Sequence, residues 1–410
     1  MRALASTTLA VAIAAAAPSA KAEEIVPGAT YELVEPGEIP APIHLLILDL
    51  TAAELRFEAT ASEDRGLTTS EFAAAADADI AVNGGPFSPL DFAPYGIAIG
   101  RGEAWPDSDP GRGSALLLER SGPTTGADLL GPDASEALAG GIAAIAGGPM
   151  LVEDSSARAD FDCDDRQAMP CDRAPRTAAG SDGTRLLIAV VDGWTAASEG
   201  ATAGELAVFL AERGAIDAIL LDGGSASTLY AEPLGGVVGS PSDGAERRVA
   251  NHLAVVFEEL EPGEMAIRVR EGDIFDPDAD IAGATVTLDD GRQDITDDSG
   301  RTSFDNLRPR RVCATAEAEG YEPQTECRQV PPGDSVLNQI ALVPEGEGPA
   351  DNPTSKPAAV GANEFAGGCA AAGRLHGDGF HATLGGLLAA ALFAAAARRH
   401  RLPSGRRHRR

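Results

Sequence analysis

Two aspartates stand out by position. Leu186–Val191 is a continuous apolar run that stops at Asp192-Gly193, and Ile219–Leu221 is another that stops at Asp222-Gly223-Gly224. A carboxylate at a strand end can act as an acid, a base or a stabiliser of positive charge. The glycines behind it let backbone come close to a ligand. The competing reading is plain turn chemistry, because Asp-Gly after a strand commonly caps a turn. Asn83, in Asn83-Gly84-Gly85-Pro86, can donate to and accept from hydroxyl groups, or simply occupy a left-handed turn. Arg176 offers a planar fork of donors suited to phosphate oxygens, against the alternative of an ordinary ion-paired arginine. Arg248 and Asn251 are further polar candidates, although Asn251 also suits the satisfaction of backbone groups. His252 reads as a histidine at the edge of the core. Asp162, Asp164 and Asp165 read as a solvated acidic loop, with calcium ligation as the alternative.

The elements that must position these residues are mostly strands. His44–Leu50, Ile80–Val82 and Leu253–Phe257 are apolar runs of strand length. Thr202-Ala203-Gly204-Glu205 is a capping box that opens a helix, and Gly214 is its stop. The stretch 186–222 is thus a strand–helix–strand unit. If its strands are parallel neighbours, Asp192 and Asp222 project at one sheet edge, where ligands often bind. The expected fold class is α/β to α+β: a mixed, β-rich sheet domain with packed helices over 24–260. A small all-β sandwich over 264–343 follows, with alternating Ala284–Leu288 and turns at Asp290-Gly291 and Ser299-Gly300.

A chain of 410 residues exceeds one compact core. Its net charge of −31 argues against nucleic acid, whose phosphates it would repel. Arg2, the apolar stretch Leu9–Ala17 and Ala20-Lys21-Ala22 describe a secretory signal peptide over 1–22. In an exported chain the local pairs Cys163/Cys171 and Cys313/Cys327 are expected to form disulfides. Residues 344–368 read as a linker rich in Gly, Pro, Ala and Glu. Residues 369–410 hold Cys369, a weakly apolar stretch and an arginine-rich end, which suits a marginal membrane span with a positive flank.

Six motifs in order carry a resemblance. They are Ala81–Phe87, Gly147–Val152, Arg176–Gly180, Val190–Gly193, Leu220–Leu229 and Arg247–Leu253. Together they resemble the phosphodiester glycosidase family. The resemblance implies an exported surface glycosidase that hydrolyses a sugar-1-phosphodiester of the N-acetylglucosamine type in a glycan or cell-envelope polymer. It implies Asp222, Asp192 and Arg176 as catalytic residues, with Asn83, Gly84, Gly223, Gly224, Ser225, Ser227, Arg248 and Asn251 against the substrate. It implies no cofactor, while the residues leave a structural or catalytic divalent cation open. One departure is visible: the family's Asp-Gly-Gly-Gly-Ser reads Asp222-Gly223-Gly224-Ser225-Ala226 here. Two alternatives stay open, a glycan-binding surface protein without catalysis and a divalent-metal phosphodiesterase. The 264–343 segment resembles carboxypeptidase regulatory-like sandwiches. Gly367-Gly368-Cys369 with the tail resembles the MYXO-CTERM class of sorting signals, which implies Cys369 as the processing and lipid-attachment point. A plain C-terminal transmembrane anchor is the alternative. The implied partners are a glycan or sugar-phosphate, the export and C-terminal processing machinery, and the membrane through the C-terminal segment.

Overall fold

The computed structural model describes residues 22–109, 113–131, 141–165, 169–272 and 279–346. The expected leader up to residue 21, most of the expected linker, Cys369 and the residues after it lie outside the described residues.

An eight-stranded sheet organises the first part of the chain. Its strand order is Ala22–Val26, Ala29–Val34, Ile43–Asp49, Arg185–Val191, Arg176–Ser181, Asp217–Leu220, Met150–Glu153 and Ser156–Ala157. The central strands are buried along almost their whole length because both of their faces are covered. On one face Leu46, Leu48, Ile188, Val190 and Ile219 join a core with Leu116, Leu118 and Ile145 of one five-stranded sheet. Ile80, Val82 and Leu253 of a second five-stranded sheet complete that core. On the other face Ile43, Leu45, Leu187, Ala189 and Val191 meet Leu206 and Leu210 of the helix Ala203–Glu212. Burying each of those leucines contributes about 1.5–3 kcal/mol. That helix opens with the expected Thr202–Glu205 capping box, and Gly214 follows at φ +92°.

One expectation needs correction, and one condition is met differently. The packed helices reduce to two α-helices among the described residues, Thr69–Ala76 and Ala203–Glu212, and the architecture is β-rich. Most apolar runs are short and bounded by Gly, Asp or Pro, which suits strands rather than helices. The strands Arg185–Val191 and Asp217–Leu220 run parallel but are not neighbours. Arg176–Ser181 lies between them and pairs antiparallel with both, Arg176 opposite Val191 and Ala178 opposite Leu220. Asp192, Asp222 and Arg176 therefore share one sheet edge.

Gly263–Pro344 forms two four-stranded sheets around Met265, Ile267, Val269, Val286, Leu288 and Leu342. This part is tied to the first by Arg308 Nη1 donating to Glu24 Oε1 at 2.8 Å and Gln329 Nε2 donating to the Thr51 carbonyl at 3.0 Å. Both expected disulfides are formed, Cys163–Cys171 and Cys313–Cys327, the second between residues directly opposite on paired strands. No helix of the described residues is long and apolar enough to cross a membrane.

Candidate active site

Asp222 follows its strand into a clamp. Its amide donates to the Gly84 carbonyl at 3.0 Å, and its own carbonyl accepts from Asn83 Nδ2 at 2.8 Å. The Asn83 Oδ1 accepts from Thr177 Oγ1 at 2.8 Å and from the Thr228 amide at 3.1 Å. Asn83 is fully buried and builds the bed of Asp222, and it is not among the residues that border the cavity above it. Gly84 and Asn251 do the same work. The Gly84 amide donates to the Asn251 carbonyl, and Asn251 Oδ1 accepts from the Gly85 amide, both at 2.8 Å. A Cβ at Gly84 would stand 1.9 Å from Asn251 Oδ1, so no other residue fits there. The Gly147–Val152 motif locks on from the neighbouring side. Gly148 donates to the Leu220 carbonyl at 2.7 Å, and a Cβ at Gly147 would lie 2.4 Å from that oxygen.

Above this floor opens a cavity of about 430 Å³, bordered by Tyr95, Arg176, Trp194, Asp222, Ser225 and Arg247 among others. Burial pushes the Asp222 carboxyl up to about 7, against the opposing pull of the Gly223 amide, which donates to Oδ1 at 3.0 Å, and of the Arg247 charge. Such a group exchanges a proton near neutral pH, as acid–base catalysis requires. Gly224 holds φ +63°, a left-handed conformation that glycine adopts without strain. Ser225 faces the cavity and its Oγ accepts from Arg247 Nη1 at 3.2 Å. Ala226 turns inward among Phe87, Trp105 and Val249. The departure Ser225-Ala226 thus places its hydroxyl on the cavity side and its methyl in the core.

The remaining expected residues lie elsewhere or serve differently. Arg176 is 2% exposed. Its Nε donates to the Ala201 carbonyl at 3.1 Å, and its Nη2 donates to the Met169 and Asp172 carbonyls at 2.7 Å each. Those donors hold the cavity wall rather than present an open fork to a ligand, and burial lowers its pKa below the usual arginine value. Asp192 does not border the cavity: its Oδ1 accepts from the Ser240 amide at 3.0 Å and lies 3.5 Å from His44 Nε2. Ser227 is buried outside it. Arg248 points away, donating to the Gly66 carbonyl at 2.8 Å and Glu71 Oε1 at 2.7 Å. Its exposed neighbour Arg247 takes the place expected of it. His252 is fully buried, stacked on Phe72 and pushed down to about 3 by burial. Trp194 and Arg247 escaped the sequence reading. An aromatic directly after Asp192-Gly193, in a chain with 4% aromatics, was the available signal for Trp194. Among the described residues no three His, Cys, Asp or Glu side chains come together as a metal-ligand group.

Residues 76–256 match the phosphodiester glycosidase family model. The matched segment contains Asn83, Arg176, Trp194, Asp222, Ser225 and Arg247, and all six motifs. The chain is also 38% identical over 100 residues to the SPbeta prophage-derived uncharacterized protein YomE of Bacillus subtilis. That match covers 24% of this chain and 15% of the relative, far under two thirds of its length. Among solved structures, a hypothetical protein from Synechocystis is similar at TM-score 0.45 and 16% identity, over 59% of this chain and 64% of that one. The catalytic domain of zebrafish N-acetylglucosamine-1-phosphodiester alpha-N-acetylglucosaminidase, auto-inhibited by its pro-peptide, is similar at TM-score 0.44 and 17% identity. It covers 59% of this chain and 85% of that one.

Proposed function

We propose that the Asp222 cavity hydrolyses a sugar-1-phosphodiester of the N-acetylglucosamine type, on a protein exported to the cell surface. One observation carries the reading: a clamped carboxyl group at the cavity floor, with its pKa pushed up to about 7 and the Arg247 guanidinium at the same cavity. A carboxylate of that pKa is a stronger base than an exposed one and is available near neutral pH. Water loses a proton to Asp222 as its oxygen attacks the anomeric carbon. The bond from that carbon to the phosphate oxygen breaks, and its electron pair leaves on the oxygen. The products are the free sugar and a phosphomonoester. Negative charge beside the carbon also favours the oxocarbenium-like transition state. The departing phosphate is a weak base, so it needs charge neutralisation more than a proton. Arg247 supplies that charge, with Ser225 beside it. The family match over 76–256 supports the reaction class. The two disulfides fit an oxidising compartment. A leader over 1–22 and attachment through Cys369 complete the proposal, with the 264–343 segment as a spacer.

Incubation of the full chain with N-acetylglucosamine-1-phosphodiesters, with and without chelator, tests this. Sugar release insensitive to chelator is the expected result. Binding without release from any diester would make the domain a glycan-binding module. Release abolished by chelator would favour the metal phosphodiesterase.

A further inference from the structure

The chain has two tryptophans, and they are treated oppositely. Trp105 is 3% exposed and donates from Nε1 to the Thr60 carbonyl at 2.9 Å inside the core. Trp194 is 49% exposed and borders the Asp222 cavity. Exposure of so large an apolar ring gains nothing for folding.

Trp194 is nevertheless held in one orientation. Its backbone sits at φ +52°, a left-handed conformation uncommon for a bulky residue and typical of functional corners. Its Nε1 donates to the Arg173 carbonyl at 3.1 Å. Arg173 in turn donates to the Gly200 carbonyl at 3.1 Å and pairs with Glu205, the capping residue of the Ala203–Glu212 helix. The loop behind the ring is closed by Ser198 Oγ donating to the Asp192 carbonyl at 2.7 Å. The ring lies against Gly224, where an added Cβ would meet Cη2 and Cζ3 at 3.0 Å. The next residue, Ser225, carries the Arg247 contact. A rigid aromatic face and a cation thus flank successive residues of the loop that follows Asp222.

We propose that Trp194 is a stacking platform for the sugar ring, which selects a pyranose presenting an unbroken C–H face and directs its phosphate toward Arg247. This rests on the reading of the Asp222 cavity as a sugar-phosphate site. The indole face is electron-rich and attracts the polarised C–H groups of a ring whose hydroxyls are equatorial. An axial hydroxyl on the stacked face lifts the ring off the platform.

Binding is measured by calorimetry on the full chain, using N-acetylglucosamine 1-phosphate and inorganic phosphate as probes. In Trp105→Phe the fluorescence of Trp194 alone provides a second readout. The expected results are saturable sugar-phosphate binding with a change in Trp194 emission, and weaker binding of inorganic phosphate. Trp194→Ala should weaken sugar-phosphate binding by roughly tenfold and leave phosphate binding unchanged, whereas Trp194→Phe retains most of the affinity. Equal affinity in Trp194→Ala, or no binding of the sugar phosphate by the wild-type chain, overturns the platform. Tryptophan-dependent binding without hydrolysis of any diester sinks the catalytic reading and leaves the platform standing. Hydrolysis with kinetics indifferent to Trp194 does the reverse.

Discussion

Asp192 and Asp222 occupy equivalent positions in the sequence pattern and different positions in the chemistry. Each ends an apolar strand, each precedes glycine, and the two strands run parallel to the same sheet edge. What crosses over them decides the outcome. At Asp192 the Ser240 amide bonds the carboxylate and His44 stands beside it, itself hydrogen-bonded to Tyr31 at 2.8 Å. At Asp222 the hydrogen bonds from outside go to the peptide, and the carboxyl is left at the cavity with one neighbouring amide and the charge of Arg247 on the same cavity. A strand end places a carboxylate at the sheet edge; the neighbouring loops determine whether it is bonded into the structure or left at a cavity.

The largest effect is expected from the sharpest form of this comparison. Asp222→Asn should lower kcat by about 10²–10⁴-fold with the fold intact. Asp192→Asn should cost much less turnover and appear mainly as a lower Tm. Comparable kcat losses in the two variants would erase the distinction.

The next test varies pH. With Asp222 as the base, kcat/KM should rise with pH through about 7 and then level off. Stability runs the other way. The folded-state pKa lies above the unfolded aspartate value of about 3.9, so the native state holds this proton more tightly. The associated stability is full below the unfolded pKa and is lost as pH rises through about 7. Asparagine does not titrate. The Tm of Asp222→Asn should therefore gain on wild type between pH 5 and pH 8, and thermal melts at both values check the sign.

The adjacent arginines give a smaller, cleaner contrast. Arg247→Ala should raise KM for a phosphodiester roughly tenfold to a hundredfold through loss of a charge-assisted contact. Arg248→Ala should leave KM nearly unchanged, since its partners are Gly66 and Glu71. Steady-state kinetics on the two variants decides between them.

Arg176→Lys should have the least specific effect. A lysine cannot reach the carbonyls of Met169, Asp172 and Ala201 together. The expected outcome is a lower Tm with a moderate fall in both kcat and kcat/KM. A selective rise in KM for anionic substrates, with Tm unchanged, would return Arg176 to direct phosphate contact.

The strand ends were legible because apolar runs and Asp-Gly stops are local signals. The capping box and both disulfides were legible for the same reason. The partners of polar side chains were not. Asn83 and Arg176 carry the polar groups that sugar and phosphate recognition needs, but the sequence does not show that Thr177 and Thr228 donate to the Asn83 Oδ1, that its Nδ2 goes to the Asp222 carbonyl, or that three backbone carbonyls take the Arg176 donors. Arg247 and Arg248 differ only by which faces the cavity, a matter of local backbone direction. Whether the two parallel strands are neighbours was not legible either, because Arg176–Ser181 precedes the strand–helix–strand unit in sequence and yet inserts within it.

The clamp on the Asp222 peptide has a consequence for hydrogen exchange. Its amide proton is held by the Gly84 carbonyl, and its carbonyl by Asn83, residues more than a hundred positions away in the chain. Both partners lie in one segment, so exchange at residue 222 requires that Asn83-Gly84 part from the end of the Asp217–Leu220 strand, and Thr177, Thr228 and Asn251 hold that segment in place. Under native conditions this amide should belong to the slowest-exchanging class, while amides on the exposed loop around Asp243 exchange early. The Asp222 carboxyl would then stand on backbone among the last to yield, so that any adjustment around a ligand in the cavity falls to the loops above it.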